Sequence, residues 1–94
     1  MSYFALIYHL VDDYLERRAS LRSQHLAIAN AVYEHGELVL GGAFAEPADK
    51  ALLIFHSPNA SAAKAFAEND PYVIHGLVKH WEIRPWTVVI GNAD

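Results

Sequence analysis

Arg18, Arg22 and His25 stand at i, i+4 and i+7 in a segment, Tyr14 to His35, that contains neither proline nor glycine. At about 100° per residue they share an arc of roughly 180° with Leu15, Ala19, Leu21, Leu26, Ile28, Ala29, Val32 and Tyr33. Two guanidinium groups recognise an anion well, and an imidazole exchanges a proton near neutral pH. A cationic group on a core-facing stripe is costly without a partner. The spacing therefore points to a polar pocket between helix and sheet that takes an anionic group. It is also compatible with arginine stems lying over the core with their heads in water, and with an ordinary internal hydrogen bond from His25. A carboxylate of interest, Asp70, precedes Pro71. That pair marks an N-cap followed by proline at the first helical position, and capping alone would account for the aspartate.

Other chemistries find no support. Cysteine is absent, which removes thiolate nucleophiles, disulfides and cysteine-ligated metals. Ser20, Ser23 and Ser61 lie in no nucleophile-elbow context, and Gly41-Gly42 form no phosphate-binding GxGxxG. Those glycines fit a β-bulge better than a backbone approached by a ligand. His9, His35, His56, His75 and His80 make no HExxH or carboxylate-rich pattern, so neither a metal nor a cofactor is expected. Trp81 and Trp86, at strand spacing, suit core or dimer contacts better than a stacking platform for bases.

The elements that must position these residues follow from hydrophobic period and stop signals. Tyr3 to Val11 predicts a strand ending at Asp12-Asp13, where a carboxylate caps the long helix Tyr14 to His35, itself closed by Gly36. Glu37 to Phe44 and Ala51 to His56 predict a hairpin. Ser57 to Ser61 cap a helix that runs to about Glu68. Asp70-Pro71 open a short one that Gly76 closes, and Leu77 to Ile90 is a last strand that Pro85 places at a sheet edge or bends. The order β-α-β-β-α-β is the ferredoxin-like α+β arrangement, an antiparallel sheet with both helices on one face. In the first strand Phe4, Leu6, Tyr8 and Leu10 form one apolar set and Tyr3, Ala5, Ile7 and Val11 another, and ALLIFH is equally two-sided. A sheet covered on one face only would leave the second set wet, so a homodimer joined through its sheet faces is expected.

The chain of 94 residues is long enough for a single domain, and its 53% hydrophobic and 19% charged content suits one buried core. A net charge of −4 without a basic run argues against nucleic acid. No apolar run approaches the roughly 18 residues of a membrane span, no leader is visible, and the reading is of a cytoplasmic protein.

Three separated segments carry a resemblance: R-x-x-L-R-x-x-H-L from Arg18 to Leu26, G-E-L-V-L-G-G-A-F around Gly41-Gly42, and D-P-Y-V-x-x-G-L-V-x-x-W-E-I-R-P-W from Asp70 to Trp86. They occur in the order and context of the YCII-related, or YciI-like, family, which the sequence resembles over nearly its whole length. The resemblance implies the dimeric α/β barrel built on the ferredoxin-like fold. It implies a His–Asp pair as active site, at His25 and Asp70. Most members have no assigned reaction; a few similar proteins are dehydrochlorinases of ring compounds, and the wider superfamily includes lactone isomerases and cofactor-independent monooxygenases. In such a pair the carboxylate fixes the imidazole tautomer and stabilises the imidazolium, which suits proton abstraction followed by isomerisation or elimination. Arg22, with Arg18 in support, would orient a carboxylate or enolate, and Tyr72 would wall the ring of a small, aromatic-derived anion. The alternatives are a non-catalytic ligand-binding or regulatory dimeric module that uses the same residues to hold an anion, and a partner subunit that only offers an assembly surface.

Overall fold

Phe4, Leu6, Tyr8 and Leu10 are all buried on one face of β1 (Ser2–Leu10), one of the two central strands of the computed structural model, which describes residues 1–91. The chain continues through α1 (Tyr14–Arg17), a 3₁₀ turn (Arg18–Ser20), α2 (Arg22–Glu34), β2 (Leu38–Ala43), β3 (Lys50–Ser57), α3 (Ser61–Asn69), α4 (Pro71–Ile74) and β4 (Val78–Trp86). The strands form one antiparallel sheet in the order β2-β3-β1-β4. This is the ferredoxin-like α+β fold that the sequence predicts. Because opposed residues share a face, Leu6 sits between Leu53 and Ile83, and Tyr8 between Ala51 and Trp81. Leu53 and Phe55 complete the covered face, and Ala63, Phe66 and Ala67 of α3 seat on it.

The segment Tyr14 to His35 is not one helix. Tertiary contacts hold its two parts separately. Tyr14 meets Tyr72 edge to face, with ring centroids 5.7 Å apart, and the Arg17 guanidinium donates 3.0 Å to the His75 carbonyl. The intervening 3₁₀ turn then resets the helical register. Leu15, which the sequence pattern places toward the sheet, is exposed; Leu26 and Tyr33 are exposed too, but beside an open space between α2 and the sheet, and Leu21, Ile28, Ala29 and Val32 pack partly against the core. Asp13 occupies the N-cap position of α1 but makes no capping bond, and its carboxylate lies 3.8 Å from Arg17. At α3 the N-cap position is Ala60, and the side-chain oxygen of Asn59 just before it accepts from the Ser61 amide at 2.9 Å.

Two further boundaries differ from expectation for reasons of pairing. β4 stops at Trp86 rather than Ile90, because Trp86 pairs with Tyr3 and β1 begins just beyond it, leaving no ladder to extend. Val11 lies past the end of β1 and packs against the core instead of joining Ala5 and Ile7 on the open face. β4 is an edge strand, as Pro85 requires. No helix among the described residues is long and apolar enough to cross a membrane.

The packing of the covered face gives a direct check. Phe55 has no exposed surface. Phe55→Ala should lower the unfolding free energy by about 3–5 kcal/mol in urea denaturation. A loss below about 1 kcal/mol would show that this face is not close-packed.

Candidate functional site

Among the strand-one residues that face the helices, only Tyr8 carries a polar tip, and a buried phenol needs a partner. Its hydroxyl donates to Oδ2 of Asp70 at 2.7 Å. Asp70 is completely buried at the N-cap of α4, where Oδ1 accepts from the Tyr72 amide at 3.0 Å. The capping role foreseen for Asp70 is therefore real. It is only a third of its bonding, because Oδ1 also lies 2.8 Å from Nδ1 of His25. A carboxylate accepts only, so Nδ1 carries the hydrogen and donates it, which leaves Nε2 of the neutral ring as its unprotonated nitrogen. A buried carboxylate costs several kcal/mol unless its oxygens are satisfied, and three donors from β1, α2 and α4 do so here.

The His25 ring is fixed by more than this bond. Tyr72 stacks on it with centroids 3.9 Å apart and planes 8° from parallel, and Phe66 meets its edge at 6.2 Å. Burial is the main reason that the Tyr8 hydroxyl titrates far above its ordinary range, with Asp70 adding its charge and hydrogen bond; Tyr8 thus remains a protonated donor. Burial also raises Tyr72, and Tyr14 and Asp70 add to the rise while Arg22 and Arg18 oppose it.

His25 opens onto a cavity of about 260 Å³ between α2 and the sheet. No residue of α2 is fully buried, whereas α3 buries three, so α2 stands off from the strands beneath it. The floor is made of small residues, Gly41 and Ala43 on β2 and Ala51 on β3. A Cβ added at Gly41 would meet Leu53 at an ordinary 3.6 Å and would occupy space that the cavity now has. The bulge expected at Gly41-Gly42 is instead between Leu38 and Leu40, where β2 gains Val39. Arg18 and Arg22 line the cavity, as the helical spacing suggests, together with Tyr14 and Tyr72. Arg18 lies over the Tyr14 ring at 5.4 Å, and among the described residues no carboxylate forms an ion pair with either arginine. The Tyr72 hydroxyl, buried in the same wall, has no hydrogen-bond partner among the described residues. The structure thus brings together His25, Asp70, Arg18, Arg22 and Tyr72. Tyr8 and Tyr14 escaped the sequence reading; the lone polar tip on the core face of β1 was the available signal for Tyr8.

The model of the YCII-related domain matches residues 1–87. Protein YciI of Escherichia coli O6:H1 is 30% identical over 86 residues, covering 82% of this chain and 88% of that protein, and Protein YciI of Shigella flexneri matches to the same extent. Among solved structures, the 5-chloro-2-hydroxyhydroquinone dehydrochlorinase of Burkholderia phenoliruptrix AC1100, in complex with 2,5-dihydroxybenzoquinone, superposes with a TM-score of 0.75 at 19% identity. The match covers 90% of this chain and 93% of that one. A protein of Agrobacterium tumefaciens superposes at 0.61 with 16% identity, over 95% of this chain and 94% of its own. Both share the fold.

The Tyr8–Asp70 bond has a measurable signature. Tyr8→Phe should cost about 1.5–3 kcal/mol of stability, since it removes one donor from a buried carboxylate. In the unfolded chain a tyrosine loses its proton near 10.0, whereas folded Tyr8 keeps it. Deprotonation then favours the unfolded state, so wild-type stability should be intact below about pH 10 and fall above it, by up to about 1.4 kcal/mol per pH unit for each such group. Denaturation midpoints across this range should fall less steeply for Tyr8→Phe; equal slopes would show that Tyr8 does not carry the effect.

Proposed function

The chain belongs to the YCII-related family, and from that premise we propose that it is a small enzyme whose His25–Asp70 pair performs acid–base chemistry on a small anionic, aromatic-derived molecule. One observation carries this reading: fully buried Asp70 holds Nδ1 of His25 at 2.8 Å, and the same imidazole borders a cavity lined by two unpaired arginines. Nε2 takes a proton from a C–H or O–H of the bound molecule. In an elimination the freed electron pair becomes the new double bond and the leaving group departs with its own pair. In an isomerisation His25 returns the proton to another atom of the same molecule. Asp70 keeps the tautomer correct and stabilises the imidazolium.

Arg22 and Arg18 hold the anionic group, and the unpartnered Tyr72 hydroxyl donates a third bond to it. The cavity suits one substituted ring: at about 260 Å³ it is just below the usual range of about 300–1,000 Å³ for drug-sized ligands. The dehydrochlorinase with the same fold acts on a chlorinated hydroxyhydroquinone, which makes hydroxylated and halogenated ring compounds the first class to try.

Turnover should be sought by chloride release and ultraviolet absorbance over such compounds, lactones and small acids. His25→Ala should lower kcat about 10²- to 10⁴-fold. Arg22→Ala should mainly raise KM. Binding by wild type without turnover across the screen would favour the ligand-binding module, and His25→Ala with wild-type turnover would exclude the mechanism.

We also propose that a second copy covers the open sheet face. There Ala5, Ile7, Leu52 and Ile54 form an apolar groove beside Trp86, which is 49% exposed, and Leu40, 70% exposed, extends the patch. Pairing like faces about a two-fold axis matches this surface to itself. Sedimentation at micromolar concentration should give a dimer mass; a monomer would contradict the pairing.

A further inference from the structure

His9 directly follows Tyr8 and, by strand alternation, points to the opposite face of the sheet from the His25 cavity. It pairs in register with His80 of β4, and the ladder then shifts so that Leu10 meets Val78, leaving Lys79 as an extra residue in the edge strand. Glu82, two residues beyond His80, shares its face. The imidazoles of His9 and His80 stack with centroids 3.9 Å apart and planes at 16°. Nε2 of His9 lies 3.5 Å from Oε1 of Glu82, and one ligand atom from each of the three residues falls within 4.8 Å of the others.

We propose that His9, His80 and Glu82 form a binding site for a divalent transition-metal ion of the zinc class. Two imidazoles and a carboxylate are a zinc ligand set, and zinc bonds of roughly 2.0–2.2 Å place tetrahedral ligand atoms about 3.4 Å apart. The His9–Glu82 separation already has that value. All three separations lie within 4.8 Å, and the site stands on the open sheet face at the end of β1 and β4 away from Trp86, where rotation of the His80 and Glu82 side chains, exposed in the single chain, brings the ligand atoms to bonding distance. A cross-strand pair alone would need only His9 and Glu82; His80 completes a three-ligand set. The ligands carry one formal negative charge, and Lys50 stands opposite His9 on β3, so the site favours nitrogen-seeking ions over magnesium or calcium. Water takes the fourth position. The sequence hides this set because His9 and His80 lie on different strands and only the register unites them.

Zinc titration of the chelator-treated full chain by calorimetry, with thermal melts alongside, tests the site. Wild type should take up one zinc per chain and melt at higher temperature in its presence. His80→Ala and Glu82→Gln lie on the face assigned to the second copy, so fold is checked by circular dichroism and mass by sedimentation, and each should weaken binding at least about tenfold with the mass unchanged. His35→Ala, at the far end of α2, should bind as wild type does. Absence of uptake by wild type at millimolar zinc, or unchanged uptake by both ligand variants, would overturn the assignment.

Discussion

A carboxylate with no solvent contact must have its oxygens satisfied by the protein, and Asp70 draws its three donors from three separate elements. Tyr8 comes from β1, His25 from α2 and the Tyr72 amide from α4. The requirement ties the start of the last short helix to a central strand and to the helix that crosses it. It also dictates chemistry. Once Nδ1 of His25 is committed to Asp70, the other nitrogen is the one available to a ligand. The bonds that satisfy the carboxylate are the same bonds that orient the imidazole.

The cavity arises from unequal helix packing. α3 presents Ala63, Phe66 and Ala67 to the sheet and sits close, while α2 and the 3₁₀ turn before it present Arg22, Arg18, His25 and only partly buried apolar residues. Small side chains on β2 and β3 keep the floor low. Charged groups that would be costly inside a filled core line an open space with their heads toward it. The Tyr72 hydroxyl shares that space, unpaired, where an anion would meet three donors at once.

Much of the fold was legible because strand alternation and turn signals are local. Period alone divided β1 into two apolar sets, of which the structure puts Phe4, Leu6, Tyr8 and Leu10 on the covered face, and Asp70-Pro71 announced its cap. The features that escaped depend on distant partners. The break after Arg17 is held by His75 and Tyr72, and the end of β4 is set by where β1 begins. The bulge sits at Val39, not on the glycines, because register across β3 decides it. The arginines and His25 kept their common orientation toward the pocket despite the broken helix, as did Leu26 and Tyr33, while Leu15 did not. The union of His25 with Asp70, 45 residues apart, came from family resemblance; local pattern gave only the two residues separately.

Everything at the site turns on Asp70 fixing His25 with Nδ1 protonated and Nε2 bare toward the cavity. Long-range ¹H–¹⁵N NMR correlation of the His25 ring in its neutral form reads this tautomer directly. The expected spectrum has Nδ1 as the protonated nitrogen and Nε2 with the shift of an unprotonated one. A neutral His25 protonated at Nε2, or one exchanging freely between the two tautomers, would contradict the arrangement on which the proposed chemistry rests.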